Sequence, residues 1–156
     1  ILCLILAGKI GSNIASEIGT MRITEQIDAL EIMGVNSANY LILPKIVAFV
    51  VMMPFLVIFS MGIGLVGGYL VGMFSDAITT ADYLLGIQYA FIPYYVTYSL
   101  VKSLVFAFLI ASVASYYGYY AYGGALDVGK ASTNAVVNSS ILILFFNLLI
   151  TNIMLN

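Results

Sequence analysis

The longest uncharged stretch of the sequence, residues 46–75, is IVAFVVMMPFLVIFSMGIGLVGGYLVGMFS. As an α-helix it would rise roughly 45 Å, more than the ~30 Å hydrocarbon core of a bilayer. Lipid offers no hydrogen-bond partners to an open backbone, so a run of this length and apolarity predicts a membrane-spanning helix.

The overall composition extends this prediction to the whole chain. Hydrophobic residues make up 63% of it and charged residues 8%, whereas soluble domains carry about 25% charged residues. There is no histidine and one cysteine, Cys3, so the sequence predicts no catalytic residue, metal site, cofactor or disulfide. The net charge of −2 and the lack of a basic run give no indication of nucleic-acid binding.

The positions of the charges predict the other spans. Residues 83–101, 103–126 and 131–156 are also uncharged, and none of the ten-residue alternation typical of a β-barrel occurs. We therefore predict an all-α, polytopic transmembrane helical bundle, as one domain over residues 1–156. It has about four spans: a partial helix near 1–19 and full helices near 42–74, 91–117 and 132–154. Because the chain opens inside an apolar run, we expect it to be the C-terminal part of a longer protein.

The loops predict the orientation of these spans. Residues 20–45 contain Arg22 and Lys45, and residues 118–131 contain Lys130. The loop at about 75–90 has Asp76 and Asp82 but no basic residue. The positive-inside rule places the first two segments in the cytoplasm.

A short amphipathic helix is predicted at residues 24–34, between the first two spans. At 100° per residue, Glu25, Asp28 and Glu31 form one stripe, most of the apolar residues (Ile32 excepted) lie opposite, and Gly34 is a plausible stop. The helix could lie on the membrane or dock into a partner, and its acidic face favours docking because interfacial helices are usually basic. The candidate docking residues are Thr24, Glu25, Gln26, Asp28, Ala29, Leu30, Glu31, Met33 and Gly34.

Residues 7–31, AGKIGSNIASEIGTMRITEQIDALE, resemble the signature of MlaE-type permeases, and the TEQIDALE core is highly specific. The resemblance continues through residues 44–45, Pro54 and residues 67–69, 102–106 and 123–133, and so covers essentially the whole chain in order. Lys9 stands where the family more often has Arg, a small departure.

This resemblance implies a permease subunit of an ABC transporter, located in the bacterial inner membrane as a multi-pass protein. It implies a homodimer that works with a cytoplasmic ATPase subunit and an MCE-domain lipid-binding protein. The substrate would be phospholipids or related lipids, moved between the inner membrane and the outer membrane pathway. The helix at 24–34 would be the coupling helix that docks into the ATPase.

Three charged residues inside or near the spans are candidates for the lipid cavity: Lys102, Glu17 and Lys9. Lys102 either meets a lipid phosphate or a buried carboxylate, or extends its ammonium to the interface without touching substrate. For Glu17, an ion pair with Arg22 or Lys9 is expected rather than proton coupling.

The 46–75 run also contains Gly64, Gly68 and Gly72 on one helical face, a spacing that favours close helix packing.

Two other function classes remain as alternatives. An ion-driven secondary transporter or channel would call for inverted repeats and buried titratable groups at broken helices, and no repeat is found. A membrane enzyme would need a carboxylate cluster inside a span. No P-loop occurs in the sequence, so we expect any ATP hydrolysis to take place on a partner chain, and this chain not to be an enzyme.

Overall fold

The computed structural model describes residues 1–74 and 79–155, and within these ranges the chain forms helices and no strand. Four helices are long and apolar enough to cross a membrane, which confirms the predicted all-α bundle of about four spans. The six helices are α1 (Leu2–Ile23), α2 (Gln26–Ile32), α3 (Ala38–Phe74), α4 (Thr80–Ala90), α5 (Pro93–Tyr119) and α6 (Ala125–Leu155).

The helix α4 corrects the sequence prediction, which treated residues 75–90 as a loop. The Thr79 hydroxyl accepts a hydrogen bond from the Asp82 backbone N–H (3.3 Å), a cap that fixes the first turn. Tyr83 then donates its hydroxyl to the Leu65 carbonyl oxygen at 3.0 Å, which ties α4 to α3. Asp76 lies outside the described residues.

The packed core consists of α1, α5 and α6. Small residues let these helices approach closely. A Cβ added to Gly118 on α5 would lie 2.7 Å from the Ala15 carbonyl oxygen of α1, and one added to Gly19 would lie 3.1 Å from Val128 of α6. Lipid is as apolar as these side chains, so close van der Waals packing, rather than exclusion of water, holds the three helices together.

The helix α3 is attached to this core mainly through α5 and mainly through its first half. Phe49 and Met53 are its buried residues. The helix continues through Pro54, but beyond it most side chains are exposed. The second half of α3 and α4 therefore form an arm that extends from the core; we call residues 55–74 and 79–90 the α3–α4 arm.

A tight corner separates α1 from α2. Glu25 has a left-handed backbone conformation (φ 59°), Ile27 anchors α2 by being fully buried, and Gly34 (φ 77°) follows the end of the helix. Arg22 donates a hydrogen bond to the Tyr122 hydroxyl at 3.1 Å, so α2 and the turn between α5 and α6 lie at the same end of the bundle. We call this the α2 end. The positions of the basic residues predicted that residues 20–45 and 118–131 lie on the same side of the membrane, and this arrangement agrees with that prediction.

Candidate functional site

The acidic stripe predicted on α2 is largely occupied by contacts within the chain. Asp28 forms an ion pair with Arg22 at the end of α1 (2.7 Å). One oxygen of Glu31, Oε1, accepts hydrogen bonds from the Tyr119 hydroxyl and from the Ser37 hydroxyl, each 3.0 Å long. Glu25 lies in the corner ahead of the helix rather than on it. The helix itself spans Gln26–Ile32, shorter than the predicted 24–34.

The hydrogen bonds to Glu31 also affect its charge. The hydroxyl of Tyr119, and after it that of Ser37, lower the pKa of the Glu31 carboxyl, since both stabilise the ionised form. Glu31 is therefore held as a carboxylate that joins the end of α5 to the start of α3.

The surface that α2 leaves exposed is different from the predicted stripe. Ile32 is 87% exposed and Met33 is 68% exposed, and Gln26 and Ala29 are exposed beside them. The sequence prediction placed Met33 on the apolar side of the helical wheel and included it among the candidate docking residues, but it left Ile32 out. Leu30 is half-buried, and Thr24 donates its hydroxyl back to the Thr20 carbonyl oxygen.

Lys102 lies inside the span of α5, roughly 14 Å from its Pro93 end at helical rise. Its Nζ donates to the Tyr98 hydroxyl at 2.6 Å and to the Thr151 hydroxyl of α6 at 2.9 Å. It also lies over the Tyr98 ring, 4.7 Å from the centroid. In the described part of the chain every hydrogen-bond acceptor found for this ammonium is neutral, so the cation has no counter-charge there.

A cavity of about 310 Å³ opens beside Lys102, between α1, α3, α5 and α6. Apolar side chains such as Val57 and Phe106 line it together with polar ones: Ser60, Ser99, Lys102, Ser103 and Asn147. The site thus combines one cation, several hydroxyls and apolar walls. Within the described residues, 1–74 and 79–155, no group of three or more His, Cys, Asp or Glu residues is placed so that it could hold a metal ion.

The other two candidate charges lie away from this cavity. Glu17 pairs with Lys45 at the start of α3 (2.6 Å), not with Arg22 or Lys9 as the sequence suggested. The reason is that α3 returns beside α1 at this level, which sequence spacing does not reveal. Lys9 is exposed on the outer face of α1, in a π-helical turn at Ala7–Gly11.

The glycine positions on α3 do not share one environment. A Cβ at Gly64 would meet nothing within 4 Å, whereas one at Gly68 would contact the Tyr83 ring of α4, with Cζ 3.0 Å away. Gly72 is half-buried near the end of α3. Gly62 and Gly67 border an open apolar groove of about 510 Å³ on the exposed side of this helix.

Sequence reasoning missed the partners of the candidate charges Lys102 and Glu31. The spacing of Tyr98 and Lys102, four residues apart on a helix, is a signal that could have predicted their contact. No local signal connects Thr151 to Lys102 or Tyr119 to Glu31, because these pairs are far apart in sequence and meet only through the packing of α5.

Comparisons with known proteins identify relatives of the whole chain. The family model described as "Permease MlaE" matches residues 1–153. A probable ABC transporter permease protein of Rickettsia bellii is 47% identical over 150 residues, 96% of this chain and 58% of the relative. A protein of Synechocystis sp. with the same description is 37% identical over 150 residues, 96% of this chain and 57% of the relative.

A plant protein is also similar. The chloroplastic protein TRIGALACTOSYLDIACYLGLYCEROL 1 of Arabidopsis thaliana is 32% identical over 139 residues, which cover 89% of this chain and 40% of the relative. The chain therefore spans little more than half the length of the bacterial relatives, and less of the plant one.

Proposed function

Since the chain belongs to the MlaE permease family, we propose that it is the membrane-embedded permease part of an ABC transporter that moves phospholipids or related lipids. Energy would come from ATP hydrolysis on a separate ATPase subunit. The relatives described as ABC transporter permeases support the transporter class. The name of the Arabidopsis relative contains that of a diacylglycerol lipid, which supports a lipid substrate.

Lys102 is the observation that carries the lipid assignment. Placing a lysine at the centre of a bilayer costs on the order of 3 kcal/mol, and this one is paired with neutral hydroxyls. A lipid phosphate would supply the missing negative charge. The cavity, at about 310 Å³, is at the lower limit for a drug-sized ligand, so it fits a headgroup while the acyl chains lie along the exposed apolar helices.

Replacing Lys102 by Met tests this assignment, because Met keeps the apolar stem and removes the charge. We expect about tenfold less phospholipid to co-purify with the transporter, since a charge-assisted hydrogen bond contributes about 1.5–3 kcal/mol. The matched control is Lys130→Met, which removes an exposed cation at the α2 end. Lipid recovery by mass spectrometry that is the same in both variants would assign Lys102 to structure alone.

For the ATPase partner, we propose that α2 docks through its exposed apolar edge, Ala29, Ile32 and Met33, with Glu25 and Gln26 beside it. Exposed apolar side chains at the water-facing end of a membrane protein are typical of a surface that a partner covers. Asp28 and Glu31 would then support α2 from within instead of contacting the ATPase.

A co-purification experiment separates the two surfaces. Ile32→Asp should abolish recovery of the ATPase, because a carboxylate would be buried without a partner. The control is Asp82→Asn, a charge change on α4. Should Ile32→Asp bind the ATPase as well as the unmodified permease does, the apolar edge is not the docking surface.

The proposal includes the remaining partners that family membership suggests: a second copy of the chain and an MCE-domain lipid-binding protein, in the bacterial inner membrane. The open groove bordered by Gly62 and Gly67 on α3 is a surface on which another helix could pack closely, and it supports the presence of an additional helical partner.

A further inference from the structure

Six side chains at the α2 end join α2 to three other parts of the bundle. We call this set the α2 latch; it consists of Arg22, Asp28, Glu31, Ser37, Tyr119 and Tyr122. Tyr119 is its central member. Its hydroxyl donates to Glu31 Oε1 at 3.0 Å and lies 3.1 Å from the Ser37 hydroxyl, while the Arg22 guanidinium lies 5.5 Å from the centre of its ring. One side chain at the end of α5 thus contacts an acid on α2 and a base on α1.

The helix α2 has a second attachment, and the two are chemically different. Ile27 is fully buried and packs with the core, so it fixes α2 whatever the state of the polar contacts. Glu31 and Asp28, by contrast, are exposed and their partners Ser37 and Arg22 are not, so the polar contacts contribute to joining the helices more through their geometry than through their stability. The apolar anchor therefore keeps α2 on the core, while the latch is the polar contact that joins α2 directly to the end of α5.

The latch joins α2 to α5, the helix that contacts most of the other membrane-spanning helices. Helix α5 packs against α1, α3 and α6. It also contains Lys102, roughly 26 Å from Tyr119 along the helix. Any displacement of α5 at its Tyr119 end therefore reaches the wall of the Lys102 cavity through one continuous rigid element.

We propose that Tyr119 is a positioning residue for transport: it transmits movement of the docked α2 to α5 through its hydrogen bond to Glu31. This inference rests on the proposed function, because it needs an ATPase that moves α2. It assigns to the acidic side of α2 a role other than contact with the partner. It also distinguishes Tyr119 from its neighbour Tyr120, whose ring is exposed and packs on Tyr116 and Tyr119.

The test compares Tyr119→Phe with Tyr120→Phe in the whole transporter, reconstituted with its ATPase into liposomes that contain a fluorescent phosphatidylglycerol. Tyr119→Phe keeps the ring that faces Arg22 and removes the hydroxyl that binds Glu31. We expect unchanged ATPase recovery and basal ATP hydrolysis, and a loss on the order of fivefold in lipid moved per ATP hydrolysed, the range typical of coupling between sites. Tyr120→Phe should match the unmodified transporter.

A double variant makes the assignment specific. If the hydroxyl acts through Glu31, then Tyr119→Phe combined with Glu31→Gln should lower the ratio no further than either change alone. The inference is overturned if Tyr119→Phe leaves the lipid-to-ATP ratio unchanged, or if it lowers thermal stability and ATPase recovery in proportion to transport, as a purely structural residue would. Failure of the unmodified transporter to bind an ATPase or move lipid would instead overturn the proposed function.

Discussion

The core of α1, α5 and α6 and the α3–α4 arm contain similar residues but use them differently. Both contain glycines and many large aliphatic side chains. In the core, Gly118 lies against the backbone of Ala15, so its lack of a side chain is a condition for the crossing. In the arm, Gly62 and Gly64 have open space around them.

The contrast shows that composition does not measure packing in a membrane protein. Apolar residues in water must be buried, so their burial can be predicted from their identity; apolar residues in lipid have no such need. Whether a helix is fixed then depends on the shape of its contacts. The core is fixed by backbone approach, and the arm by the buried Met53 and by Tyr83 on Gly68.

The largest effect is expected at Gly118. In Gly118→Ala the new Cβ would lie 2.7 Å from the Ala15 carbonyl oxygen and 3.1 Å from its Cα, and backbone atoms cannot move aside. We expect the free energy of unfolding to fall by about 1–3 kcal/mol. Thermal unfolding in detergent measures the effect. Gly62→Ala, with nothing within 4 Å, is the control, and equal stability of the two variants would contradict the contrast between core and arm.

Met53 attaches the arm to the core. Met53→Ala should cost about 1–2 kcal/mol of unfolding free energy, less than in a water-soluble core because lipid can replace part of the lost contact. Met52, the preceding residue, is 56% exposed, so Met52→Ala should be nearly neutral. The same thermal unfolding measurement applies, and a larger effect at Met52 would show that α3 is rotated relative to the structure.

Gly68 tests the tip of the arm. In Gly68→Ala the Tyr83 ring must shift, because its Cζ lies 3.0 Å from the new Cβ, and the hydrogen bond to Leu65 is lost. We expect a cost of about 0.5–1.5 kcal/mol, seen as faster hydrogen exchange of the α4 amides with no change in α5. Gly64→Ala serves as the reference, and exchange that changes equally in both would mean that Tyr83 does not fix α4.

The smallest effect concerns pH at the α2 latch, where α2 meets the Tyr119 end of α5 in the core. The pKa of Glu31 is lower in the folded protein than in the unfolded chain. The hydrogen bonds of its carboxylate therefore stabilise the fold fully above the unfolded pKa of roughly 4.3, and this stabilisation is lost as the pH falls through the folded pKa. The groups facing it are Tyr119, Ser37 and Arg22. Protection of the α2 amides from exchange should fall over this range, and it should be flat with pH in Glu31→Gln.

The fold could be predicted from the sequence because the bilayer sets few requirements. Uncharged runs long enough to cross it gave the four spans, although their ends differ by up to seven residues, as for α6, which begins at Ala125 rather than 132. The error came from starting the span after the charges Asp127 and Lys130, which in fact lie on the helix and stabilise its first turns through contacts of Asp127 with Gly124 and Lys130.

The candidate site could be predicted only in part. The short helix α2 could be predicted because its periodicity is local, and Lys102 could be singled out because a charge in an apolar run is conspicuous. Their partners could not be found, since Thr151 and Tyr119 approach them through helix packing between distant parts of the chain. The prediction for α2 left out Ile32, which is exposed beside Met33: the helix is short and lies at an end of the bundle, so only its Ile27 side meets the core.

The left-handed corner at Glu25 has a mechanical consequence. A residue with a side chain is less stable in this conformation than in a right-handed helix by about 1–2 kcal/mol, so Glu25 by itself favours a straight rod that would fuse α1 and α2. The burial of Ile27 and the ion pair of Asp28 hold the rod bent against that preference. The bend at this junction therefore depends on those two contacts, and their loss would favour a straighter path of the chain from α1 into α2.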